Sequence, residues 1–289
     1  MTPSTNPKFR KWFSVAAIFL VQLALSGPAA AQYNHVPFSP DSLYRCSPAE
    51  IPSDVLKVVV SPFRWTRSGW LTAAGWMGAT ALAMPADRAV NDLFQTHSSP
   101  FTREVSRLVL EPLGSGLLMA PVVGGAWLVG RVTHNSRLSY AAYRSAEAWL
   151  FAAGAVQVAK YVFHRHRPFQ SPGDAMVFEG PGFNSDYVSF PSGHTATAFA
   201  VATVWARVYS NKPWVGIVAF SVASLVGVSR MHDQEHWLSD VVAGAAVGYW
   251  IGTTLVPRKP SAGRAWTVVP LVGPQSLGVK VHWSPFQIQ

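Results

Sequence analysis

Charge is what this sequence has least of. Asp, Glu, Lys and Arg make up 13% of its 289 residues, about half the ~25% usual for a soluble globular chain. A chain so poor in charge, with 49% hydrophobic residues and twelve Trp, either buries most of its surface or faces lipid. Cysteine is almost absent as well. Cys46 stands alone, so no intrachain disulfide can form, and the Tyr44-Arg45 before it argues against a lipoprotein cysteine. There is no Lys/Arg-rich run and no basic patch interleaved with aromatics. The net charge of +9 therefore points to anions other than nucleic acid, which is excluded as a partner. Internal repeats and low-complexity segments are missing too, and the length suits one good-sized core with appendages.

The N-terminus has a clear pattern. Lys8, Arg10 and Lys11 precede an apolar run from Trp12 to Leu25, Gly27-Pro28 breaks it, and Ala29-Ala30-Ala31 supplies small residues before Gln32. Residues 1–31 read as a secretory signal peptide, with an uncleaved anchor as the alternative. Residues 32–64 are polar, with one short helix expected near Ser53–Val60. Apolar stretches follow at 69–85, 113–130, 145–163, 195–210, 213–229 and 237–256. They predict an all-α bundle of about six apolar, transmembrane helices, most of them near the short end of the ~17–25 residues that span a bilayer. Basic loops (Lys57, Arg64, Arg67; Arg131, Arg137, Arg144; Arg207, Lys212; Arg258, Lys259, Arg264) alternate with mixed-charge loops at 86–112, 164–193 and 230–236. That alternation places the three mixed loops outside. It conflicts with a cleaved leader, which would leave Gln32 outside while residues near 60 belong inside. A fully soluble bundle removes the conflict. Gly244, Gly248 and Gly252 form a small-residue stripe on the last stretch, facing the bundle interior on one reading and plain composition on the other. In the tail, residues 257–289, Val268–Val272 and Gly278–Trp283 alternate around Gly273-Pro274, the pattern of a short β-hairpin.

Three short motifs carry chemistry. Lys160 and Arg167 are seven apart, nearly one side of a helix that Pro168 would end. Two cations at the end of an apolar helix are costly unless they are paired or functional; the bland reading is snorkelling. His164 and His166 between them read as surface or interface residues. In Pro191-Ser192-Gly193-His194 a turn feeds a helix, so that Ser192 and the amides of Gly193 and His194 would cup an anion, with His194 able to carry a proton. In the third, Arg230 can grip two oxygens of an oxyanion. His236 and Asp240, i and i+4, read as one helical face on which the carboxylate orients the imidazole. His232 and Asp233 are adjacent and would face different ways. Histidines 194, 232 and 236 with Asp233 or Asp240 are ligand types for zinc, but three cations in one place repel a dication, and no metal or other cofactor is expected. The inventory suits a phosphate group, neutralised by cations while a histidine attacks.

The segments K-x6-RP, PSGH and SR-x5-H-x3-D, with 22 and 34 residues between them, resemble those of the type 2 phosphatidic acid phosphatase (PAP2) superfamily without a substitution. The resemblance covers residues 65–256. It implies an all-helical, acid-phosphatase-like core and metal-free hydrolysis of a phosphomonoester or pyrophosphate. His236 would form a phosphohistidine, His194 would be the general acid, Asp240 would orient His236, and Lys160, Arg167, Ser192, Gly193, His194 and Arg230 would bind phosphate. The insert Met231–Glu235 departs from it: Asp233 and Glu235 stand where many members look apolar or aromatic. The leading expectation is an enzyme acting on a lipid phosphate or isoprenyl pyrophosphate in the bacterial inner membrane, with the site facing the periplasm. A soluble, secreted, broad-specificity acid phosphatase and a vanadate-dependent haloperoxidase are the alternatives. A membrane scaffold built on a dead site is disfavoured by the intact motifs, and oligomeric state is not legible.

Overall fold

The computed structural model describes residues 47–183 and 186–256, and the backbone of 265–273 and 276–284. The expected leader lies outside the described residues. After a short 3-10 turn, helices α1 (Ile51–Val60), α2 (Arg67–Ala83), α3 (Asp87–His97) and α4 (Pro100–Val105) follow. A π-helical stretch, Ser106–Leu110, leads into α5 (Glu111–Gly114). Then come α6 (Gly116–Val132), α7 (Ser136–Phe163), α8 (Gly193–Val208), α9 (Pro213–His232) and α10 (Leu238–Leu255). The core is all-α.

Local chemistry sets the helix starts. Thr66 caps α2, Ser99 with Thr102 forms a reciprocal box ahead of Pro100 on α4, Asn135 caps α7 and Ser192 caps α8. The 28 residues of α7 span about 42 Å at 1.5 Å per residue. His164 ends that helix in the left-handed conformation, φ +39°.

Helix α8 is the centre of the bundle, packed against α7, α9 and α10. Its Ala198, Phe199 and Ala202 join Trp76 of α2, Phe220 and Val226 of α9 and Val241 of α10 in one core cluster. Its opposite stripe, Ala196, Ala200, Val204 and Val208, meets Ala148, Ala152 and Val156 of α7 and Ile251 of α10. Alternating i, i+4 stripes of small residues thus let one helix be buried on both sides. The glycines at 244, 248 and 252 settle the interior reading of that stripe, since a Cβ on any of them would collide with α8 or the carbonyl of its cap Ser192. Helices α8 and α10 approach as closely as their backbones allow.

Several outer faces are apolar. On α9, Trp214, Ile217, Val218, Val222 and Leu225 lie exposed at helical spacing, Ile217 at 63%. Trp70, Leu71, Met77 and Leu82 on α2, and Val122, Leu128 and Val129 on α6, are exposed as well. By length and apolarity alone, however, the expected six spans are not all marked. Among the described residues α9 passes that measure, and so does the bent pair Pro100–Gly114 with Leu118–Val132, angled by 52°.

The tail forms its own unit. Strands β1 (Ala265–Gly273) and β2 (Ser276–Ser284) pair antiparallel in the register Trp266↔Trp283 and Val268↔Val281, the expected strand pair; Pro274 lies outside the described residues.

Candidate active site

The three motif loops meet at one end of the bundle. Arg230 lies in the last turn of α9, His236 in the short link to α10, and Asp240 in the first turn of α10. Ser192 and His194 open α8. The backbone joins these pieces: the Ser192 N–H donates to the Asp240 carbonyl at 2.9 Å, and the His236 N–H to the Arg230 carbonyl at 3.2 Å. The Lys160 ammonium lies 3.9 Å from where a Cβ on Gly193 would stand, so the glycine leaves room beside a cation. His194 lies within electrostatic reach of Arg230, His236, Lys160 and Arg167. All the expected site residues are thus brought together.

Two of the geometric arguments need correction. Lys160 and Arg167 are not a helix-face pair, because α7 stops at Phe163 and Arg167 belongs to the following loop. The carbonyl of Lys160 closes the turn by accepting the His164 N–H at 2.9 Å, leaving Pro168 with no helix to end. Likewise His236 precedes α10, so it does not share a helical face with Asp240. Their separation, Nδ1 to Oδ2, is 3.7 Å. The hydroxyl of Ser189 lies between them, donating to Asp240 Oδ2 at 2.5 Å and lying 3.5 Å from His236 Nδ1. Asp240 Oδ2 also accepts the Trp237 N–H at 2.9 Å, which caps α10.

Of the neighbouring histidines, His164 and His232 differ from expectation, while His166 stays partly exposed. His164 is buried and its Nδ1 bonds the Gly180 carbonyl oxygen at 2.9 Å. His166 stacks on Tyr187 at 3.9 Å and pairs with Glu179. His232 and Asp233 do meet, at 3.1 Å, because the helix ends between them. Asp233 in turn accepts from Arg230 at 2.7 Å and from Ser106 at 2.8 Å. Glu235 pairs with Arg167, and Glu111 lies 3.5 Å from Arg230. The two acidic residues of the insert therefore hold the two site arginines. Among the described residues no group of three or more His, Cys, Asp or Glu is arranged to hold a metal ion.

Four partners have no place in the motif argument: Arg165, Ser189, Asp87 and Ser239. Arg165 is fully buried, with Asp87 at 2.6 Å and Asp240 at 2.5 Å on opposite sides of its guanidinium. A third Lys/Arg inside the first motif was a visible sign of it. Asp87 carries no local sign in the sequence.

Burial pushes the His236 imidazole down to about 4; Asp240 opposes this and Lys160 and Arg167 reinforce it. The ring is therefore neutral at neutral pH. With Nδ1 turned toward Ser189 and Asp240, Nε2 is the nitrogen left for an electrophile. Burial, and then the neighbouring Arg230, press the Arg167 guanidinium below its ordinary value. Packed cations of this kind are relieved by an anion. A buried imidazole, three cations and a second histidine suit an oxyanion such as phosphate.

Residues 142–262 match the model of the PAP2 superfamily, a stretch that holds everything from Lys160 to Asp240. It is similar to the lipid A 1-phosphatase of Porphyromonas gingivalis, 42% identical over 116 residues that cover 37% of this chain and 23% of the relative. It is also similar to the undecaprenyl-diphosphatase of Sulfolobus acidocaldarius, 36% identical over 33% of this chain and 44% of that one. The chain thus spans less than half the length of these relatives. Among solved structures it is similar to a transmembrane PAP2 type phosphatidylglycerolphosphate phosphatase from Bacillus subtilis, with TM-score 0.47 and 20% identity, covering 71% of this chain and 94% of that one.

Proposed function

We propose that the chain is a membrane-embedded lipid phosphate phosphatase that works through a phosphohistidine. One observation carries the reading: the buried His236 imidazole has Nδ1 directed at Ser189 and Asp240 within a cluster of Lys160, Arg167 and Arg230. The cations and the Ser192–His194 turn hold the phosphate. His236 Nε2 attacks phosphorus, the P–O bond to the leaving group breaks, and His194 gives its proton to the departing oxygen. Water then attacks the phosphohistidine, His194 takes the proton from it, and phosphate leaves with His236 restored. In the bare site burial, and then the surrounding cations, disfavour a charged His194, which lies at the bundle end ahead of the apolar 195–210 stretch. A bound phosphate dianion offsets them, coupling the acid's readiness to substrate binding.

The lipid substrate class is supported by the similarity to lipid A 1-phosphatase and undecaprenyl-diphosphatase. The membrane setting is supported by the large apolar side chains that α2, α6 and α9 leave exposed on their outward faces. With the motif loops on the periplasmic face, the substrate phosphate would be met at the outer surface of the inner membrane. The test is phosphate release by the purified chain from lipid phosphates, isoprenyl pyrophosphates and an aryl phosphate. Vanadate-inhibited release with preference for the lipids, lost in His236→Ala, is the expected result. Retained turnover in His236→Ala would sink the mechanism. Release of the protein by carbonate extraction would return the soluble acid phosphatase.

A further inference from the structure

Arg165 uses every donor it has. Nε donates to the Ala175 carbonyl at 3.1 Å; Nη1 donates to Ser239 Oγ at 2.7 Å and Asp240 Oδ1 at 2.5 Å; Nη2 donates to Asp87 Oδ2 at 2.6 Å and again to Ala175 at 2.6 Å. The rings of Phe178 and Trp237 lie 5.1 and 5.7 Å from its guanidinium carbon. Asp87 is gripped as fully. It accepts the Ser239 N–H at 2.8 Å and the Ser239 hydroxyl at 2.6 Å besides Arg165. The backbone of Arg165 takes part too, its carbonyl accepting the Ser189 N–H at 3.0 Å. One residue thereby fixes both groups that face His236 Nδ1. Its side chain holds one oxygen of Asp240, and its main chain holds Ser189, whose hydroxyl holds the other.

We infer that Arg165, clamped by Asp87 and Ser239, is a positioning residue that sets the orientation and tautomer of His236 through Asp240 and Ser189. This deepens the phosphatase reading and rests on it for the catalytic consequence. The electrostatic sense is consistent. A carboxylate already shared with a buried guanidinium offers the imidazole a hydrogen-bond acceptor rather than an unopposed charge, so the ring is held without being protonated. Among the described residues no hydrogen bond or ion pair of this network involves Lys160, Arg167 or Arg230. Of the network, Lys160 and Arg167 feel only the charge of Asp240, so loss of Arg165, Asp87 or Ser239 should separate chemistry from binding. Packing alone explains the arrangement less well. A buried ion triad adds little net stability compared with apolar residues of the same volume, whereas an oriented second layer characteristically governs activity.

The experiment uses the full-length protein in detergent with Ser239→Ala, Asp87→Asn and Arg165→Lys. Ser239→Ala is the mildest, since the backbone N–H to Asp87 survives it. The expected result is a fall in kcat of about 10- to 100-fold, with KM for an aryl phosphate and inhibition by orthovanadate within about twofold. In parallel, ¹⁵N-histidine NMR, with His236 assigned by His236→Gln, should show one Nδ1–H tautomer in the parent and a mixture in the variants. Equal losses of kcat and vanadate affinity that follow the loss of thermal stability would overturn the inference, as would an unchanged tautomer. If the parent releases no phosphate from any substrate while the variants still disturb the tautomer, the phosphatase reading fails and the positioning role stands.

Discussion

Replacing Gly248 by Ala tests the contact that sets the site's geometry. In an exposed helix the exchange gains up to ~1 kcal/mol, because alanine costs less backbone entropy. At Gly248 a Cβ would meet the Ala200 nitrogen at 2.7 Å and the Phe199 Cβ at 2.9 Å, and would strike the Ala196 carbonyl. Two of these are backbone atoms that cannot swing aside, so α10 must move off α8. Overpacking of this kind costs about 1–3 kcal/mol. The net effect is a loss of about 1–2 kcal/mol, or roughly 5 °C in Tm for a domain of this size. Gly154, on the exposed side of α7, has nothing within 4 Å of its virtual Cβ, so Gly154→Ala should raise Tm by about 2–4 °C. The activity contrast is sharper. Because α8 carries His194 and α10 carries Asp240, Gly248→Ala should lower kcat by at least tenfold, while Gly154→Ala leaves it unchanged. Thermal melts and aryl phosphate kinetics in one detergent read both effects. If the two substitutions move Tm in the same direction, close packing of α8 and α10 is refuted.

Other outcomes follow from the same geometry. Asp240→Asn should cut kcat by about 10³–10⁴ while leaving vanadate inhibition intact, by analogy with other orienting carboxylates; parallel losses of both would refute it. Activity should decline as pH falls through about 4, where His236 takes up a proton, and a pH profile of kcat/KM reads that limb. The same group lowers stability as pH drops from the ordinary 6.5 to about 4, since the unfolded chain protonates first. A melt that is flat across this interval would contradict its burial. Glu235→Gln should tighten vanadate inhibition severalfold, because the carboxylate that competes for Arg167 is gone; weaker inhibition would show that Glu235 helps to hold the anion.

The make-up of the candidate site was legible in the sequence because it resides in residue types at fixed places: Lys160, Arg167, Arg230, His194 and His236 need no coordinates to suggest an oxyanion. The apolar runs gave the helices, and Ser192 announced the start of α8. The spatial logic linking them was less accessible. A period of seven made Lys160 and Arg167 look like neighbours on a helix, yet a left-handed residue at His164, which no glycine marks, ends α7 first. His236 and Asp240 looked helical by spacing, but Asp240 spends an oxygen on the Trp237 amide and so starts its helix after His236. Asp87 is 152 positions from Ser239, and local pattern cannot reveal a pairing at that range. The apolar faces of α2 and α9 were visible as hydrophobic runs, but which side of each run is covered depends on partners elsewhere in the chain.

The hydrogen bond from the Ser192 amide to the Asp240 carbonyl has a consequence for how the protein fails. It ties the turn proposed to hold the anion to the helix whose Asp240 faces the ring proposed to attack, so neither can loosen while the other stays in place. Heat should therefore silence capture of the anion and turnover along a single curve. A partially inactivated sample would be a mixture of intact and dead molecules, with no population that binds its ligand but has forgotten how to cut it.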